Sequence, residues 1–248
     1  MAYDGTEFHG WQRQSYHISI QEKVEEALST ILRRPIHIHG CGRTDAGVHA
    51  DDYFAHINLL DHESEKKIVY RLNKILPTEI LIRQLLPVQR DSNAQKDAIS
   101  RTYRYNLHIR KDPFLSRTST WIPDLKLDLK ILSETAALLP LYRDFRNFCK
   151  TPDKHKSTHC QILRSEWSEL DQNQLQFEIS ADHFLRGMIR LLVGNMLEVA
   201  SRKISMPEFQ SWLQLEGKPK HFQMAPPQGL HLTNVVYEGR TFPMLGRI

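Results

Sequence analysis

Cysteine is scarce. Of 248 residues only Cys41, Cys149 and Cys160 carry a thiol. So few, and odd in number, they argue against a disulfide framework and fit a reducing compartment. Apolar runs are short as well, and none approaches the roughly 18 residues a membrane span needs. The opening stretch from Met1 to Trp11 has no charged start followed by an apolar run, so it does not read as a secretory signal. The expected location is the cytoplasm. Low-complexity tracts, Gly/Ser linkers and short tandem repeats are missing. So are a Walker-type phosphate loop and a dinucleotide fingerprint. What remains is an ordinary globular composition, 40% hydrophobic and 25% charged, long enough for one large domain or two small ones. The net charge is 33 − 29 = +4, which permits a nucleic-acid partner without demanding one.

The periodicity predicts alternating short strands and helices. Ser19-Ile20-Gln21-Glu22 has capping-box spacing and opens a helix with Ile20, Val24, Ala27, Leu28, Ile31 and Leu32 on one face; Pro35 stops it. Ile36 to Cys41 and Tyr53 to Leu59 alternate like half-buried strands. Residues 64–76 predict a second helix ended by Pro77, and Glu79 to Leu86 and Arg101 to Ile109 further strands. Beyond Pro113, residues 127–139 predict a helix. Gln161 to Leu170 and Gln174 to Ala181 predict a hairpin turning at Asp171, Gln172 and Asn173. Residues 183–202 form the longest apolar helical pattern, Ser205 and Pro207 open another helix, and Val235 to Tyr237 predicts a late strand. The expected fold class is α+β, with two halves, 1–110 and 111–248; a sheet shared by both is left open.

Four segments carry candidate chemistry. Gly42-Arg43-Thr44-Asp45-Ala46-Gly47-Val48-His49-Ala50 lies between two strand-like runs. Its glycines allow a tight backbone path, and an arginine near an aspartate favours the ionised carboxylate, a potential nucleophile. The same residues also suit a surface turn closed by an Arg–Asp pair. In Arg101-Thr102-Tyr103-Arg104-Tyr105 a strand would put Arg101, Tyr103 and Tyr105 on one face, a surface able to stack a base and hold phosphate, or simply an amphipathic strand. Arg190 stands in the apolar stretch Phe184 to Gly194, where an arginine calls for a partner such as Asp45 or snorkels at a helix edge. Tyr3 to Gln14 mixes aromatic and polar residues around an Asp-Gly turn. Cys149, His155, His159 and Cys160 lack a standard zinc-ligand spacing, so no metal is expected there.

Together these segments resemble the bacterial tRNA pseudouridine synthase A family nearly end to end. Tyr3-Asp4-Gly5-Thr6 and Gly10-Trp11-Gln12-Arg13-Gln14 look like its opening. Gln21 with Glu25-Glu26-Ala27-Leu28 looks like its first helix, and Gly42 to Ala50 like its signature. Leu72-Asn73 with Leu76-Pro77, Arg101 to Tyr105, Met188-Ile189-Arg190 with Val193-Gly194, and Ala225-Pro226 with Gly229-Leu230-His231-Leu232 follow in order. The resemblance implies a pseudouridine synthase fold, two similar α/β halves around a largely antiparallel sheet. It implies isomerisation of uridine to pseudouridine at tRNA positions 38, 39 and 40, in the anticodon stem-loop, without cofactor or metal. Asp45 would be the catalytic carboxylate. Arg43 would help flip and replace the base, Tyr103 would stack on the uracil, and Arg190 would pair with Asp45 in one cleft. Arg13, Gln14, His49, Arg101 and Arg104 would bind RNA. A homodimer with tRNA across both subunits is implied, and no membrane.

Some positions depart from the family pattern. Only Met1 and Ala2 precede the Tyr3-Asp4-Gly5-Thr6 segment, so the first strand is expected to be short or the true start to lie upstream. In Asn93-Ala94-Gln95-Lys96-Asp97, Gln95 replaces an arginine and Lys96 an aromatic. Cys41 takes a place that is often glycine. Asp51, Asp52 and Tyr53 replace the usual small or apolar residues and Gln, and the two acids would slightly oppose phosphate. The alternatives to an active synthase are an inactive tRNA-binding or chaperone member of the family and a metal-dependent hydrolase built on the histidine-rich segments.

Overall fold

The computed structural model describes residues 1–59, 64–123, 128–219 and 223–238. In chain order the elements are β1 (Ala2–Tyr3), α1 (Ile20–Leu32), β2 (His39–Gly40), β3 (His49–Ala50), β4 (Ala55–His56), α2 (Glu65–Ile75) and β5 (Ile80–Leu81). They continue with β6 (Ala98–His108), β7 (Thr120–Trp121), α3 (Leu129–Leu138), β8 (Ile162–Asp171) and β9 (Gln174–Ala181). The last are α4 (Met188–Ala200), α5 (Met206–Leu213) and β10 (Leu230–Tyr237). This is the expected α+β class, with its long pairings antiparallel.

The chain forms two compact units, residues 1–100 with 231 onward, and residues 101–230. The halves drawn from sequence divide at 110 instead. β6 begins at Ala98, and the last strand returns to the first unit because its His231 and Leu232 pair in parallel with His49 and Ala50 of β3.

In the first unit β1 lies between β5 and β3, antiparallel to both. Helix α1 forms because its apolar residues recur on one stripe. Ile20, Val24, Ala27, Leu28 and Ile31 are buried, and the hydroxyl of the N-cap Ser19 accepts from the Glu22 N–H at 3.3 Å. It packs against α2, which buries Ile68 and Leu72. Each such side chain removed from water contributes about 1.5–3 kcal/mol. No α2 N-cap hydrogen bond from Ser64 forms, so that helix rests on its packing.

In the second unit β9 pairs with β6 from Arg101↔Ala181 to His108↔Gln174 and with β8 on its other side. The expected hairpin turn is present, and Asp171 Oδ1 accepts from the Asn173 N–H at 2.7 Å. Leu175, Phe177, Ile179 and Ala181 face the core in strict alternation. Helix α4 buries nearly every side chain and packs against α3 and α5. It starts at Met188, five residues after the predicted pattern, because Gly187 sits at φ 71° and breaks the helical path. Predicted residue 127 of the α3 segment lies outside the described residues; within them Asp128 caps the helix through Lys130 and Ile131 N–H.

No helix among the described residues is long and apolar enough to cross a membrane.

Candidate active-site elements

The Asp45 loop joins β2 to β3 through β-free backbone, and its shape is imposed from residues 3–11. Thr44 O accepts from the Trp11 N–H at 3.3 Å, and Phe8 O accepts from the Gly47 N–H at 3.1 Å. The hydroxyls of Tyr3 and Thr44 hydrogen-bond at 3.0 Å. Tyr53 donates to Gly42 O at 2.5 Å. Its ring stacks on Trp11 at 4.1 Å, and Tyr3 completes the aromatic wall 5.5 Å from Tyr53. Gly10 is at φ 81°, and a Cβ there would stand 2.2 Å from Thr44 O. Glycine is therefore what lets the two loops touch. On this support Asp45 is half-buried and Arg43 exposed. The backbone carbonyl of Asp45 accepts from Val48 N–H at 3.2 Å, so a tight turn fixes where its side chain begins.

His49 was expected at an RNA surface, but its ring is 2% exposed. Its Nδ1 lies 3.1 Å from the Gly5 N–H and 3.1 Å from Asp4 Oδ1, and the ring stacks on His231 at 4.5 Å. These contacts make it a brace between the opening turn and β3. Asp51 lies 3.4 Å from His231, and Asp52 lies 3.9 Å from Arg83. Burial pushes the Asp52 carboxyl up, opposed by the amino terminus and Arg83. Both acids thus have a neighbouring basic side chain, Asp51 while remaining exposed and Asp52 half-buried. In the 93–97 turn the departures Gln95 and Lys96 are exposed. The inward residue, Ala94, donates to His56 Nδ1 at 3.1 Å and accepts from the Tyr237 hydroxyl at 2.6 Å.

One residue of this unit was missed. Glu25 lies on the buried stripe of α1 and is 3% exposed. Its Oε1 accepts from the Ile38 N–H at 3.1 Å and Gln21 Nε2 at 3.0 Å, and its Oε2 from Arg13 Nη1 at 3.1 Å. It therefore orients Arg13, while Gln14 bonds back to His9 O at 2.9 Å. The signal available in sequence was an acid in the middle of an apolar stripe. Glu25→Ala strands the buried Ile38 N–H, costing roughly 1–3 kcal/mol, while the part-buried Gln21 amide keeps its bond to Ile38 O at 3.1 Å. The half-exposed Arg13 adds less. We expect a loss of about 2–4 kcal/mol in stability, read as a lower urea midpoint at unchanged slope.

In the second unit β6 separates its side chains by face. Tyr103 is buried and meets Phe184 edge-on at 5.3 Å. Arg101, on the same face, is nearly buried and donates to Asp182 O at 3.0 Å. Arg104, on the other face, donates to Glu178 Oε2 at 2.8 Å; Glu178 in turn meets Arg164 at 2.9 Å, and Arg164 pairs with Glu166. Arg104 is thus one rung of a cross-strand charge ladder.

Arg190 projects from α4, and the segment before β10 is clamped to it. Its Nε donates to Ala225 O at 2.7 Å, and its own carbonyl accepts from the Ala225 N–H at 2.9 Å. One turn on, a Cβ at Gly194 would stand 2.1 Å from Gln223 O, so only glycine admits the segment this close. Next in the segment, Pro226 O accepts from the Tyr105 hydroxyl at 2.9 Å, which also bonds Thr120 at 2.7 Å. Burial pushes the Tyr105 phenol up, against the hydrogen bond from Thr120 and the charge of Arg190.

Cys149 and Cys160 are buried thiols, His159 is exposed and bonds Ser157, and Cys160 Sγ lies 3.6 Å from His183 Nε2. Burial pushes the Cys160 thiol up to about 12, which keeps it neutral at ordinary pH. Among the described residues no group of three or more His, Cys, Asp or Glu is placed to hold a metal ion.

Comparison with known proteins adds to this geometry. A family profile described as tRNA pseudouridine synthase matches residues 142–238. A tRNA pseudouridine synthase A of Porphyromonas gingivalis is 42% identical over 98% of this chain and 97% of its own. The protein of the same name from Bacteroides fragilis is 39% identical over 98% and 96%, and that from Bacteroides thetaiotaomicron 38% over 96% and 88%. Identity of this depth over nearly full length means that the chain belongs to the tRNA pseudouridine synthase A family.

Proposed function

We propose that this chain is a tRNA pseudouridine synthase that isomerises uridines 38, 39 and 40 of the anticodon stem-loop, with Asp45 as its nucleophile. The reading rests on family membership together with one observation, that Asp45 stands on a loop braced from residues 3–11 through backbone and aromatic contacts. Such bracing is what a reacting group needs, since catalytic geometry has to be set before substrate arrives.

A stacked uridine is out of reach and must be extruded, at a cost of a few kcal/mol. Arg43, exposed at the loop, enters the gap and contacts backbone. The Asp45 carboxylate attacks the nucleotide, and the bond between C1′ and N1 breaks. The uracil turns against Tyr103, and C5 bonds to C1′ as the bond between the nucleotide and the Asp45 carboxylate breaks, which restores the carboxylate. C5 then gives up its hydrogen to water as a proton, and N1 ends carrying one. Every heavy atom of the substrate is kept, so no redox partner or phosphate donor enters. Arg190 pairs with Asp45 and favours its ionised form. Arg13, Gln14 and Arg101 bind RNA; the enzyme works in the cytoplasm as a homodimer with tRNA across both subunits.

The test uses tRNA labelled with tritium at C5 of uridine. Stoichiometric release to water, confined to positions 38 to 40 on mapping, is the expected result. Tight tRNA binding without release would leave a binding protein and overturn the reading.

A further inference from the structure

The link between β6 and β7 carries a feature that this chemistry leaves unused. Phe114 is 92% exposed, and Trp121, at the end of β7, is 44% exposed. Lys111 Nζ sits 5.7 Å over the Trp121 ring, and Arg110 and Arg117 are exposed. Residues 110–121 hold three cations against the single acid Asp112, a net +2 in twelve residues of a chain whose whole net charge is +4.

The exposure is built by the loop. Asp112 Oδ1 accepts from the Phe114 N–H at 2.8 Å, and Asp112 O from the Leu115 N–H at 3.3 Å. Ser116 Oγ donates to Pro113 O at 2.8 Å. Leu115 O accepts from both Thr118 N–H, at 3.1 Å, and Ser119 N–H, at 2.9 Å. Below them His108 and Ser119 bond at 2.9 Å inside the unit. The backbone thus holds Phe114 outward in a tight turn. A preformed platform of this kind loses little freedom on binding.

We propose that this loop is a second RNA contact, in which Phe114 and Trp121 stack unpaired tRNA bases while Arg110, Lys111 and Arg117 hold the adjacent phosphates. The proposal rests on tRNA being the substrate. Aromatic faces beside cations are the chemistry of single-stranded RNA, because every base has a π-face and every linkage a negative charge. A second copy of this chain fits less well. A two-fold contact through this loop would set the cations of one copy against those of the other.

Two variants test it with intact tRNA: Phe114→Ser, and Arg110→Ala combined with Lys111→Ala. Both change exposed side chains, and unchanged melting curves would establish that each folds. Filter binding should show Kd raised about tenfold for Phe114→Ser, the loss of one stacked base. In the double variant the slope of log Kd against log salt should fall by roughly 1.5. In turnover the changes should appear in KM, with kcat within twofold. Unchanged Kd and salt slope would overturn the proposal. So would a shift from dimer to monomer in sedimentation with tRNA affinity unchanged, which would make the loop an interface between copies. Filter binding reads this contact even if the wild type releases no tritium, so failure of the activity and failure of the contact are separable.

Discussion

Asp45→Asn should bind tRNA as the wild type does and release no tritium above about 10⁻⁴ of its rate, the scale of loss when a group that forms the reacting bond is removed. The loop supports this separation. It is held by Thr44 and Gly47 backbone groups, by the Tyr3–Thr44 hydroxyl pair and by the Trp11–Tyr53 stack, none of which uses the Asp45 carboxylate. Asparagine has the same shape, so the loop keeps its path and the RNA surface its form. Asp45→Glu sharpens the test. It restores the charge about one bond too far out, and a misplacement near 1 Å costs on the order of 10² in rate. Activity close to wild type in Asp45→Asn would remove Asp45 from the chemistry; equal losses in Kd and rate would make it a binding residue.

Gly10→Ala should lower both stability and turnover, although residue 10 takes no part in the reaction. Its φ of 81° costs a side chain about 1 kcal/mol. The new Cβ would stand 2.2 Å from the carbonyl oxygen of Thr44 and 3.0 Å from the carbonyl carbon of Asp45. These are backbone atoms, so relief requires moving the loop itself. We expect a total of about 3 kcal/mol, a melting point lower by about 6–12 °C at roughly 2–4 °C per kcal/mol in a chain of this size. The displaced carboxylate should reduce kcat by on the order of 10²-fold. A variant that melts low but turns over normally would show that the loop tolerates the shift and that its bracing serves folding alone.

The helices and the hairpin were legible because their signals are local. Ser19 and Ser205 cap as their spacing predicts, and Asp171 closes the predicted turn. The predicted strands of the first unit were misjudged in a consistent way. Ile36 and Ile38 are buried as their alternation implies, yet β2 covers only His39–Gly40. The Ile36 N–H goes to Ser29 Oγ at 3.0 Å and the Ile38 N–H to Glu25 Oε1, both on α1. Ile82 is likewise paired on both backbone groups by the side-chain amide of Asn73, at 2.8 Å each way, where the sequence implied a long strand. Alternation reports burial; it cannot tell whether a neighbouring strand or a helix side chain satisfies the backbone. The loop of Asp45 was found by its motif. Its supports were not, because the Tyr3–Thr44 and Gly5–His49 contacts join residues about forty apart whose types carry no pairing code.

That separation has a consequence for how the chain acquires activity. The braces that reach the Asp45 loop from residues 3–11 are non-local, and closing so long a segment costs entropy before any contact repays it. While residues 3–11 remain undocked, the loop keeps only its own Asp45–Val48 turn and the Tyr53 bond to Gly42. A nascent or partly refolded chain can therefore show α1, α4 and the β8–β9 hairpin in full and still lack the shape of the Asp45 loop. In a refolding time course, helical circular dichroism should return before catalysis does, and the interval between them measures the docking of the opening turn.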